Sequence, residues 1–140
     1  VDSGAGSLVS RLTRTMEQNL DFPLSLDELA ESLDTPKRTL ARASETAFGI
    51  PPMRLYLRIR LQAARNFLFY EDLSIKEIAT ACGFSAPGAF TRSFNAQFGT
   101  SPSSFRAAVR KSQRLTEHPE IHRIIRRSGH SANAPSSDSA

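Results

Sequence analysis

Arg38 and Arg42 lie about one helical turn apart in "TPKRTLARASETAFG", and Arg92 holds the place of Arg42 in the related segment "SAPGAFTRSFNAQFG". A guanidinium carries five donors in a rigid fork, which meets two coplanar acceptors at once: a phosphate, a carboxylate, or the O6 and N7 edge of a guanine. The residues beside these arginines are small or hydroxylated. Thr35, Lys37 and Thr39 flank the first pair, and Ser85, Gly88, Ala89 and Thr91 flank Arg92. The cations and hydroxyls among them read as phosphate contacts or helix caps. Pro87, Gly88 and Ala89 offer no side-chain hydrogen bond and suit the reading of shape and thymine methyls. Arg42 and Arg92, with Arg38 beside them, are the candidates for such a two-acceptor contact; a phosphate-only or internal ion-pair role is the alternative. A further set, Arg106, Arg110 and Arg114, recurs every four residues, as do Arg54 and Arg58. Helical spacing puts such a set on one face, where it can meet an anion, a nucleic-acid backbone or water.

Other chemistry is poorly represented. No nucleophile, base and orienting group fall together and no glycine-rich phosphate loop occurs, so neither an enzyme nor a cofactor is indicated. His118, His122 and His130 lie near the end of the chain without a matching cysteine or carboxylate, which argues against a metal site. The single cysteine, Cys82, sits on an apolar helical stripe and reads as core; it has no internal partner, which suits a reducing compartment. No apolar run approaches a membrane span and the first residues lack a secretory pattern, so the chain reads as cytoplasmic. Charge is unevenly placed. Residues 1–34 hold two basic and seven acidic side chains, a balance of −5, whereas residues 35–140 hold sixteen basic and seven acidic, a balance of +9. Such an asymmetry suits a polyanion or a solvated basic surface.

The elements that must position these residues are helical throughout, because no segment alternates with period two over a useful length. Leu8, Val9, Leu12, Met16 and Leu20 mark a first helix with Ser7 as its cap. Ser25 and Glu28 form a capping box ahead of Leu26, Leu29, Ala30 and Leu33. Thr35 is expected to cap a third helix with Pro36 at its first position, closed by Gly49 in a left-handed conformation. A longer helix starts near Pro52, with Leu57, Leu61, Ala64 and Leu68 inward. Ser74 and Glu77 then repeat the capping box, with Ile75, Ile78, Ala79 and Cys82 inward. The helix of Phe90, Phe94 and Phe98 follows, and Ser101 and Pro102 open a seventh. Beyond it, "HPEIHRIIRRSGH" is expected to form a short extra helix after Pro119, and the Ser-, Ala- and Asn-rich tail from Ser128 is expected to be disordered.

Two copies of one unit emerge. Ser25, Leu29 and Ala30 align with Ser74, Ile78 and Ala79; after one extra residue in the second turn, Thr35, Leu40, Arg42, Phe48, Gly49 and Pro52 align with Ser85, Phe90, Arg92, Phe98, Gly99 and Pro102. A short capped helix, a tight turn and a second helix describe a helix-turn-helix. The expected architecture is all-α: a first subdomain over 7–50, a linker helix over 51–71, a second subdomain over 72–112 and an extension over 113–140. A linker of about 20 residues at roughly 1.5 Å each spans about 30 Å, near the roughly 34 Å repeat of DNA, so two such units can reach successive major grooves.

The stretch "IATACGFSAPGAFTRSFNAQFGTSPSSFR" resembles the second-repeat signature of the AraC/XylS transcription regulators, and "LAESLDTPKRTLARASETAFGIPPMRLYLRIRLQAAR" is similar to their first repeat. The likeness covers about residues 8–110. It departs at Ser44, aligned with Phe94 at a position usually aromatic in that family, which puts the packing of the first unit in question. "PLSLDELAESL" looks most like the GlxA-type subgroup. The resemblance implies a bacterial regulator that binds promoter DNA through Thr35, Lys37, Arg38, Thr39, Arg42, Ser85, Gly88, Ala89, Thr91 and Arg92 and works with RNA polymerase. It also implies an effector sensed by a domain outside this chain. The alternative is a ligand-gated module, since the RxxxR spacing of Arg106, Arg110 and Arg114 resembles the arginine motif with which PilZ-type domains hold cyclic dinucleotides; their accompanying "[DN]xSxxG" motif is absent.

Overall fold

The computed structural model describes residues 4–116, and within them every regular element is a helix. These are α1 (Gly4–Glu17), α2 (Leu26–Ser32), α3 (Lys37–Phe48), α4 (Pro52–Tyr70), α5 (Ile75–Ala81), α6 (Pro87–Phe98) and α7 (Pro102–Thr116). The chain divides into one compact unit ending at Pro102 and a second beginning at Ser103. The histidines, the expected extra helix and the expected disordered tail lie outside the described residues.

In the first unit, α1 packs on α3 and α4, α2 on α3, and α3 on α4; α5 and α6 pack on each other and on α4. Leu8, Leu12 and Met16 of α1 meet Leu29, Leu33, Leu40, Ala43, Ile50, Leu55 and Tyr56 in one apolar cluster. Farther along, Leu61, Ala64 and Leu68 of α4 are buried, as are Ile78, Ala79, Cys82, Phe90 and Phe94. The inward stripe of α4 begins at Leu55 and Tyr56, which periodicity alone did not single out; Leu57 is only half-buried.

Both capping boxes form. Ser25 accepts from the Glu28 N–H while the Glu28 carboxylate accepts from the Ser25 N–H, and Ser74 and Glu77 do the same. These contacts hold the Glu77 carboxyl below its ordinary range. Gly49 and Gly99 close α3 and α6, each with φ 75 and its N–H donating to the carbonyl four residues back.

Three boundaries differ from expectation. α1 starts at Gly4, ahead of the expected cap Ser7, whose place periodicity set too late because the first turn carries no large apolar residue, and it ends at Glu17, so Leu20 lies in the loop beyond it. Pro36, not Thr35, is the N-cap of α3, and no side chain caps it; Thr35 turns back and donates its hydroxyl proton to the Leu33 carbonyl at 2.9 Å. At the matching place in the second sequence repeat, Ala86 is the N-cap, again without a side-chain bond, so Ser85 does not cap α6 either.

Candidate nucleic-acid interface

The tips of α3 and α6 share one design: a buried inner face, an exposed outer face and an N-terminus that no side chain caps. On α3, Leu40, Ala43 and Ser44 are buried, Lys37, Arg38 and Arg42 are exposed, and Thr39 is half-buried. On α6, Phe90 and Phe94 are fully buried; Ser85, Gly88, Thr91 and Arg92 are exposed, and Ala89 is half-buried. The structure therefore brings Arg38 and Arg42 to one accessible face and leaves Arg92 accessible on the equivalent face of α6. First-turn N–H groups that no side chain caps, together with the helix dipole, favour an anion.

Individual residues differ in what they can still offer. Lys37 Nζ lies 2.8 Å from Asp27 Oδ1, but both side chains are more than half exposed, so salt screens the pair and a competing phosphate can take the lysine. The Thr35 proton is engaged at Leu33, which makes it a turn residue. A methyl group built on Gly88 would stand 3.2 Å from Arg92 Nη1. Gly88 thus leaves room for the guanidinium to lie back along the helix tip, a relation between positions that their separate readings did not contain.

Behind the tips the two helix-turn-helix repeats solve one packing problem differently. In the second, Phe84, Phe90, Phe94 and Phe98 stack in sequence, with ring centroids 5.2, 5.8 and 4.7 Å apart. The Arg65 guanidinium lies 5.1 Å from the Phe98 centroid. In the first, Ser44 takes the place of Phe94, is fully buried, and donates to the Ile50 carbonyl at 2.6 Å. A hydrogen bond across the loop into α4 replaces aromatic bulk, so the departure at Ser44 has a local compensation.

Two arginines missed in the sequence hold the turns. Arg11 on α1 donates to the Leu33 carbonyl at 3.0 Å. Arg60 on α4 donates to the carbonyls of Cys82 and Gly83 at 2.8 and 2.9 Å and lies 4.4 Å over the Phe84 ring. Cations at these carbonyls satisfy acceptors that the short helices α2 and α5 leave open. Burial lowers the Arg60 pKa from its ordinary value, without threatening its charge. The same burial pushes the Cys82 thiol up to about 11, partly offset by Arg60. The signal was present: Arg11 and Arg60, Leu12 and Leu61, Leu29 and Ile78, and Leu33 and Cys82 are all separated by 49 positions, so the repeat comprises three helices.

Arg54 and Arg58 are exposed on α4. Within α7, Arg110 and Arg114 are exposed but Arg106 is only 8% exposed, so the three do not form one open anion-binding face. Among the described residues no three His, Cys, Asp or Glu side chains gather as a metal site, and no helix is long and apolar enough to cross a membrane.

A family model described as a helix-turn-helix domain matches residues 29–108. The HTH-type transcriptional regulator CdhR of Pseudomonas aeruginosa is 39% identical over 94 residues, covering 67% of this chain and 28% of that protein. The HTH-type transcriptional activator RhaS of Yersinia pestis is 35% identical over 94 residues, covering 67% and 34%. The chain thus spans between a quarter and about a third of these relatives. Among solved structures, an AraC-type DNA-binding-domain regulator of Chromobacterium violaceum superposes with TM-score 0.71 at 32% identity, covering 76% of this chain and 95% of that one. The DNA-binding domain of AdpA, solved in complex with a target DNA, superposes with TM-score 0.68 at 28% identity, covering 74% and 93%.

Proposed function

This chain belongs to the AraC-type family of helix-turn-helix domains, and from that premise we propose that it regulates transcription by setting α3 and α6 into successive major grooves of promoter DNA. The observation that carries the reading is the pair of exposed, arginine-bearing helix tips on α3 and α6, two helices that both pack on the one linker helix α4. α4 has 19 residues and is about 28 Å long, near the roughly 34 Å repeat of the duplex. The complex of the AdpA domain with its target supports this use of the fold.

In this arrangement Arg42 and Arg92 contact base edges, with Arg38 beside them. Lys37, Thr39, Ser85 and Thr91 contact phosphate, and the small Gly88 and Ala89 let the α6 backbone come close. Thr35 shapes the turn from behind. One chain then reads an asymmetric site. RNA polymerase as a partner, and an effector sensed by a domain outside this chain, complete the proposal.

Selection of bound sequences from random duplex DNA at two salt concentrations tests it. Two enriched sequence blocks about one helical turn apart are expected. A steep loss of binding with salt and no enriched sequence would reduce the activity to non-specific charge binding.

A further inference from the structure

The loop between α1 and α2 belongs to the first helix-turn-helix half yet touches the second. The Tyr56 hydroxyl, on α4, donates to the Asn19 carbonyl and accepts from the Leu24 N–H at 3.1 Å, gripping both ends of the loop. Asn19 is itself tied to α1 by its side-chain amide, which donates to the Thr15 carbonyl at 2.8 Å. One turn along α4, Arg60 holds the Cys82 and Gly83 carbonyls in the turn before α6. The two gripped segments meet. A methyl built on Gly83 would stand 2.5 Å from the Leu20 carbonyl oxygen and 2.7 Å from the Pro23 ring. Gly83 also has φ 85, a conformation that other residues rarely adopt.

From this junction we infer that Tyr56 and Gly83 are positioning residues that set the separation of the two recognition helices, and so make the protein discriminate DNA sites by the spacing of their two blocks. The inference rests on the DNA-binding reading above. Apart from the junction, both halves pack on α4, and bending along that helix changes the separation of α3 and α6. With the junction, a strut from α1 through the loop to the α5–α6 turn runs beside the linker helix and opposes that bending. Fixing two binding elements at the separation of their sites raises the effective concentration for the second contact, and lowers it for any other separation. The consequence is a narrow tolerance for block spacing, which neither recognition helix determines alone.

Tyr56→Phe keeps the ring and deletes the oxygen that grips the loop. Sites recovered by selection with the whole chain are re-made with one base pair added or removed between the blocks, and also with a single block. Wild type and variant are titrated on each at fixed salt. The variant is expected to lose about fivefold or more on the recovered spacing, to lose clearly less on the altered spacings, and to match wild type on the single block. Gly83→Ala, if folded, is expected to shift the preferred spacing; if it does not fold, Tyr56→Phe decides. An unchanged spacing profile for Tyr56→Phe, or an equal loss on every duplex including the single block, overturns the inference while the DNA-binding reading stands. Failure of wild type to recover any sequence removes that reading and this one together.

Discussion

Arg42 and Arg92 are the residues whose loss should cost specificity and little else, because each is exposed and lies on the helix face opposite the core. Replacing either by alanine is expected to weaken specific binding by about 1–3 kcal/mol and to relax sequence preference at one block, with non-specific binding nearly unchanged. Titrations on matched and scrambled duplexes at one salt concentration check this. Cys82 makes the opposite kind of prediction. Its thiol is fully buried and titrates at about 11 against an ordinary 9.0, so the folded state holds the proton more tightly than the unfolded chain. The stabilisation is complete below pH 9 and is lost as pH rises through about 11; from the shift it is on the order of 3 kcal/mol. Denaturant midpoints measured from pH 8 to 11 should fall in wild type more than in Cys82→Ala, and alkylation of the native thiol at pH 8 should be slow. Cys82 was legible in the sequence because it lies on a periodic stripe. Arg11 and Arg60 were not, because a side chain that bonds to a distant carbonyl leaves no local pattern. Only extending the repeat backward by one helix exposes them.

At the level of elements, the two glycine types in this fold should respond differently to the same substitution. Gly99 and Gly83 both have positive φ, but a methyl on Gly99 meets nothing within 4 Å, whereas on Gly83 it meets the Leu20 backbone and the Pro23 ring. Gly99→Ala is expected to cost about 1 kcal/mol from backbone conformation alone. Gly83→Ala carries the same penalty plus displacement of a loop that Tyr56 holds at both ends, and its denaturant midpoint should fall markedly further. Equal losses would show that the loop yields freely. Ser44→Ala is expected to cost about 1–3 kcal/mol, since it leaves a carbonyl without its buried donor. The capping boxes were legible because Ser and Glu three residues apart each satisfy the other's backbone, a pattern wholly local in sequence. The start of α3 was not, since Thr35 and Pro36 both suit a helix beginning and the choice depends on Leu33, which accepts the Thr35 proton from the preceding turn.

For the molecule as a whole, duplication was readable from residue spacing, but the contact that joins the halves was not, because the α1–α2 loop has no periodicity and its partners lie 32 and 37 residues away at Tyr56. That contact bears on how one chain can read a long site. A linker helix of about 28 Å reaches the next major groove on the same face of the duplex and no farther. Inserting about five base pairs between the blocks turns the second one to the far side, and inserting about ten returns it to the same face but roughly 34 Å too distant. Both insertions should therefore lower affinity to the level of a single block, a loss of about 10²-fold or more when the second contact is intramolecular. Titration of the three duplexes at fixed salt distinguishes the possibilities. Recovery of binding at the ten-base-pair insertion, with loss at five, would mean that the two blocks are held by two chains, and that the pair of tips on one linker does not span the site.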